Sequence, residues 1–150
     1  MQKIALIGNP NCGKTTLFNV LTGANQKVGN WPGVTVEKKF GYFKLENESI
    51  ELVDLPGIYS LEQDYSGIDE KIAQDYLEQD AIDLIINIVD ATNLERSLVL
   101  TQQLMDRDVP MLLVMNMLDV AQQQGITVST KMLADKLQLP VIEMIASQKR

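Results

Sequence analysis

At 150 residues the chain has the length of one domain, and its 45% hydrophobic content suffices for a core that must be largely aliphatic, because aromatics make up only 5%. One cysteine and no histidine exclude a disulfide framework and any Cys/His zinc site, and they suit a reducing compartment. A net charge of −7 argues against a broad nucleic-acid surface, and no apolar run approaches the ~20 residues that span a bilayer, so the chain by itself is expected to be soluble.

In chain order, Gln2 to Ile7 reads as a strand buried on both faces, followed by the loop from Gly8 and a helix over Thr15 to Thr22 that stops at Gly23. Ala24 to Thr35 has no periodicity, two glycines and a proline, and is expected to be a long mobile loop. Val36 to Leu45 and Ser49 to Val53 form an antiparallel hairpin turning at Glu46 to Glu48, and a second mobile loop runs from Asp54 through Asp69. Helices follow at Ile68 to Leu77, Leu94 to Met105 and from Ser129 through Leu137, alternating with strands at Ile82 to Val89, Val109 to Met115 and Pro140 to Ile145. This alternation predicts an α/β fold with a doubly wound, six-stranded, mostly parallel sheet and one antiparallel strand.

Gly8-Asn9-Pro10-Asn11-Cys12-Gly13-Lys14-Thr15 lies between a strand and a helix and has the pattern of a phosphate-binding loop. Its glycines let consecutive N–H groups turn inward around a polyphosphate, and the helix directs its positive dipole end at the same anion. Lys14 is expected to reach the β- and γ-phosphates and Thr15 to ligate Mg²⁺. Cys12 reads as a small filler. Asp54-Leu-Pro-Gly57 supplies an acid that holds Mg²⁺ through water and a glycine N–H for the γ-phosphate.

Asn116-Met117-Leu-Asp119 selects the base. A carboxylate beyond a strand end accepts from both N1–H and the 2-amino group of guanine, donors that adenine lacks. Met117 keeps a stem to stack on the base where a lysine is usual. Thr35 is the candidate second Mg²⁺ ligand from its place between the phosphate loop and Asp54. Ser147 is a candidate backbone contact to the guanine O6, and Trp31 is open to three readings: surface aromatic, partner contact or structural pin for its loop.

With these elements in order the chain resembles a Ras-like GTPase domain, and more closely the amino-terminal G domain of FeoB-type ferrous iron transporters. GNPNCGKTTLFN, VGNWPGVTVE, DLPGIYSL, DATNLERSL and NMLD carry the resemblance, VGNWPGVTVE most specifically. It implies GTP/GDP, Mg²⁺ and K⁺ as cofactors and extends the nucleotide-contacting set to Thr16, Gly33, Val34 and Ala146. The K⁺ would be held by the Asn11 side-chain carbonyl and the backbone carbonyls of Gly29 and Trp31. Asn11, Lys14, Thr35 and Gly57 are then the catalytic candidates. The resemblance further implies helical and transmembrane domains as partners, a place at the cytoplasmic face of the inner membrane, and a last helix after Ala146-Ser147 that this stretch is expected to lack. Without histidine, and with soft methionine ligands, no direct iron site is expected here.

Three functions compete. The first is a switch that hydrolyses GTP. The second is a non-catalytic GTP sensor, which has support because Ras-type enzymes place a water-orienting glutamine where this chain has Ile58. The third is an RNA-associated assembly GTPase, which the acidic balance disfavours. A generic P-loop ATPase is disfavoured by Asn116 and Asp119.

Overall fold

The computed structural model describes residues 2–10, 12–23, 25–59, 67–79, 82–107 and 109–144. The elements are β1 (Gln2–Gly8), α1 (Lys14–Thr22), β2 (Gln26–Asn30), β3 (Glu37–Leu45), β4 (Glu48–Asp54), α2 (Ile68–Gln79), β5 (Leu84–Asp90), a 3₁₀ turn at Ala91–Asn93, α3 (Leu94–Met105), β6 (Met111–Asn116), α4 (Leu118–Gln123), α5 (Thr130–Leu137) and β7 (Val141–Met144). They build a seven-stranded sheet in the order β2-β3-β4-β1-β5-β6-β7. Only β3 runs against the rest, antiparallel to β4 and to β2, while β1, β4, β5, β6 and β7 pair in parallel.

Because β1 is central, its alternate residues enter two different cores. Ala5 and Ile7 pack with Val53, Leu55, Ile85, Leu100 and α2 residues Ile72, Ala73, Tyr76 and Leu77. Ile4 and Leu6 pack on the other face with Leu17 and Phe18 of α1. The chain moves from β1 towards β4 on one side and then crosses to β5 on the other. That reversal opens a crevice at the carboxyl ends of these strands, where ligands of open α/β sheets bind.

Local chemistry sets the boundaries. Gly23 ends α1 with φ of 55° and its N–H on the Asn19 carbonyl at 2.9 Å. Glu46 and Asn47 take φ of 52° and 68°, the two left-handed residues of a tight hairpin turn between β3 and β4. Ser129 caps α5 by accepting from the Met132 N–H at 3.2 Å.

Two expectations need correction. The stretch read as one loop from Ala24 to Thr35 contains β2, so the sheet has seven strands where six were expected. β2 is an edge strand with no buried residue, so its sequence carries no hydrophobic alternation, and its backbone pairing to β3 is what defines it. Secondly, α4 follows Asn116 without having been assigned, being only six residues long.

Trp31, directly after β2, is a structural pin. Only 6% of it is exposed, its ring meets Tyr76 of α2 edge-on at 5.6 Å, and the Lys38 ammonium lies 4.9 Å from its centroid. Among the described residues, no helix is long and apolar enough to cross a membrane.

Candidate nucleotide-binding site

The crevice at the carboxyl end of β1 is a cleft of about 560 Å³ lined by Asn9, Pro10, Gly13, Lys14, Thr15, Thr16, Gly57, Asp69, Asn116 and Met117. A second cavity of about 280 Å³ adjoins it through Lys14, Gly57 and Asp69, and adds Val36, Glu37, Lys39, Asp54, Leu55 and Pro56. Phosphate loop, acidic strand end and Asn116 strand end are thus brought to one place.

The loop is shaped by close approaches that only glycine allows. Gly13 takes φ of 96° as it enters α1, and a Cβ there would overlap the Asn116 amide. A Cβ on Gly57 would stand 3.0 Å from the Pro10 Cα. Two backbone bonds hang the acidic segment on the strand and loop: Leu55 N–H donates to the Leu6 carbonyl at 3.0 Å and Ile58 N–H to the Gly8 carbonyl at 3.1 Å.

At the centre the Lys14 ammonium forms an ion pair with the Asp54 carboxylate. Both side chains are mostly buried, 11% and 7% exposed, so the pair is little screened. Burial pushes the Asp54 carboxyl up from its ordinary value, and the Lys14 charge acts against that shift. A carboxylate kept in such a place demands a cation, and Lys14 serves as that cation here. The same demand fits Mg²⁺, and the exposed Thr15 stands on the wall of the adjoining cleft. Cys12 is 1% exposed, and burial raises its thiol to about 11, so it is neutral at physiological pH and fills space.

Asn116 ties the end of β6 to the loop between β1 and α1. Its Nδ2 donates to the Cys12 carbonyl at 3.0 Å, and its Oδ1 is buried without a partner among the described residues. Met117 then takes φ of 65°, an uncommon conformation for a residue with a long side chain, and starts α4. That turn sets Met117 on the cleft wall and leaves Asp119 exposed in the first turn of α4.

Other expected residues are not gathered at the cleft. Thr35 is exposed, and neither it, Gly33 nor Val34 lines either cavity. Their loop is closed on itself by Trp31 N–H to the Val36 carbonyl at 3.0 Å and Val34 N–H to the Trp31 carbonyl at 3.3 Å. Gly29 lies within β2 opposite Lys38. Asn11, Ala146 and Ser147 lie outside the described residues. Sequence reasoning did not single out Asp69, which lines both cavities, because an acid in the first turn of a helix is ordinary helix chemistry.

Comparison with known proteins agrees with this geometry. The sequence profile of the family described as ferrous iron transport protein B matches residues 2–150. The Fe(2+) transporter FeoB of Shigella flexneri is 50% identical over 149 residues, which cover 98% of this chain and 19% of that protein, so the chain spans about a fifth of its length. The structure of the G domain of the T. maritima FeoB iron transporter superposes with a TM-score of 0.90 at 46% identity, over 98% of this chain and 89% of that one. The cytosolic domain of the same transporter in its GMPPNP form gives 0.92 at 45% identity, over 100% of this chain and 59% of that one. The chain belongs to the FeoB ferrous iron transport family, and its Ras-like fold is that of the family's G domain.

Proposed function

We propose that this chain binds GTP and GDP in the cleft above β1 and hydrolyses GTP slowly, as the nucleotide switch of a ferrous iron transporter. One observation carries the reading: Lys14 lines one cleft with Gly57 and Asn116 and pairs with Asp54 in the cavity that adjoins it, so triphosphate, divalent-cation and base chemistries would meet side by side there. The T. maritima relative in its GMPPNP form supports a guanine nucleotide. Iron movement, the helical and membrane domains as partners, the cytoplasmic face of the inner membrane, and a further helix after Ser147 are parts of the same proposal.

Each residue has a task. Lys14 would turn from Asp54 to the β- and γ-phosphates, and Thr15 and Asp54 are the residues that would hold a Mg²⁺, whose charge would replace that of Lys14 beside Asp54. The Gly57 N–H meets the γ-phosphate. Asp119 accepts from the guanine edge, and the Met117 stem stacks on the base. Thr35, out of the cleft here, would hold the metal only with a triphosphate present, which would make its loop the switch. Thr35→Ala should therefore spare GDP affinity and lower hydrolysis; equal loss of GDP and GTP affinity in binding titrations would make Thr35 structural instead.

Ile58 is fully buried and its N–H is taken by Gly8, so nothing at that position orients water. We assign the compensating charge to K⁺ held by Asn11 with the Gly29 and Trp31 carbonyls. An arginine in such a role is worth ~10³–10⁵ in rate, and a monovalent ion on neutral oxygens delivers less. Phosphate release should be faster in K⁺ than in Na⁺ at equal ionic strength, and Asn11→Ala should erase the difference while nucleotide binding persists. The buried Ile58 also favours a second reading, a sensor without turnover. Equal rates in both salts, at no more than single turnover, would select it.

A further inference from the structure

Two adjacent residues of α3 touch the two halves of the phosphate site. Ser97, 3% exposed, has its Oγ 3.5 Å from the Nδ2 of Asn9 in the phosphate loop and accepts from the Asp90 N–H at 3.2 Å. Arg96, exposed on the neighbouring face, lays its guanidinium 3.8 Å from the ring centroid of Tyr59, two residues after Gly57. One turn further on, Thr101 Oγ1 donates to the Asn87 Oδ1 at 2.5 Å, and Asn87 Nδ2 donates to the Ile7 carbonyl at 3.2 Å. This second tie fixes α3 to the end of β1, immediately before the phosphate loop. α3 is therefore a rigid reference for that loop rather than a helix resting on it.

Asn9 itself shows why the Ser97 contact matters. It is 7% exposed, it lines the cleft, and its Oδ1 is buried with no partner among the described residues. The bond to Ser97 is the one polar hold recorded on this side chain among those residues. Losing it leaves a buried amide wholly unsatisfied, a larger penalty than an ordinary exposed hydrogen bond carries.

We propose that the first turn of α3 positions the phosphate site: Ser97 sets the phosphate loop through Asn9, and Arg96 sets the segment after Gly57 through Tyr59. This rests on the nucleotide reading given above. Because Asn9 belongs to a loop that cradles any phosphate chain, its half acts on GDP and GTP alike. Tyr59 follows the glycine that addresses only the third phosphate, so the Arg96 half acts on the triphosphate alone. α3 would then sense the difference between the two nucleotides without touching either.

Stopped-flow release of fluorescent GDP and of a fluorescent non-hydrolysable GTP analogue tests both halves. Ser97→Ala and Asn9→Ala should each speed release of both nucleotides about threefold to tenfold, and the double variant should be no faster than the faster single one. Arg96→Met, which keeps the stem and removes the planar cation, should speed release of the analogue about threefold and leave GDP release unchanged. Multiplying effects in the double variant, or an equal change for both nucleotides in Arg96→Met, would overturn the proposal. So would variants whose melting temperature falls while both release rates stay at the wild-type value. A wild-type chain that binds neither nucleotide would overturn the functional reading and this inference with it, whereas wild-type binding with unaltered variants would overturn the positioning alone.

Discussion

Lys14→Ala should abolish useful nucleotide binding and, in the nucleotide-free protein, destabilise the fold. A charged hydrogen bond is worth about 1.5–3 kcal/mol, and contacts to two phosphates together predict a loss of roughly 10²–10⁴ in affinity. The stability effect arises at Asp54. Its carboxylate is 7% exposed at the side chain, and Lys14 is its partner in the ion pair; removing one partner of such a pair typically costs about 3–5 kcal/mol.

The pH dependence of that loss has a definite sign. Burial already raises the folded-state pKa of Asp54, and deleting Lys14 removes the largest influence that lowers it. A carboxyl with a raised folded pKa binds more protons folded than unfolded, so stability falls as pH rises through that window and returns on acidification. The gap in melting temperature between wild type and Lys14→Ala should therefore be largest at neutral pH and shrink as pH falls through the raised pKa towards the ordinary carboxylate value. A gap that is constant with pH would mean that Asp54 does not depend on Lys14. Retained GDP affinity in calorimetric titration would remove Lys14 from the phosphate site.

Asp119→Asn should move the preference of the cleft from GTP to XTP. On the proposed reading the carboxylate would accept two hydrogens from guanine, and an amide in its place would present a donor that suits the 2-carbonyl of xanthine. Loss of two charge-assisted bonds at about 1.5–3 kcal/mol each predicts roughly 10²–10⁴ weaker GTP binding, with XTP gaining what GTP loses. Asp119 is exposed in the first turn of α4, so the substitution has little reason to disturb the fold, and melting temperature should hardly change. Direct competition between the two nucleotides measures the switch. Unchanged GTP affinity would show that the base is read elsewhere.

Much of this site was legible in the order of residues because its parts are local. An apolar run ending at Gly8, a loop whose Gly13 needs a positive φ, and a helix from Lys14 are consequences of neighbouring residues, and so are the hairpin turn at Glu46 and Asn47 and the Ser129 cap. Ile72, Ala73, Tyr76 and Leu77 recur at helical spacing on the buried face of α2 for the same reason. The central parallel strands announced themselves by being apolar on both faces.

Tertiary structure alone decided the rest. β2 has every residue at least partly exposed, so backbone pairing to β3 makes it a strand and no side-chain pattern reports it. Trp31 had three readings until its ring was found between Tyr76 and Lys38. Lys14 meets Asp54 across 40 positions, Asn9 meets Ser97 across 88, and Asn116 meets Cys12 across 104. Such contacts form when strands distant in sequence become neighbours in one sheet, and composition and spacing carry no record of which polar groups then face each other. The candidate residues were therefore readable one motif at a time, while the pairing of Lys14 with Asp54 and the contact of Asn9 with Ser97 of α3 followed from how β1, β4, β5 and β6 lie side by side.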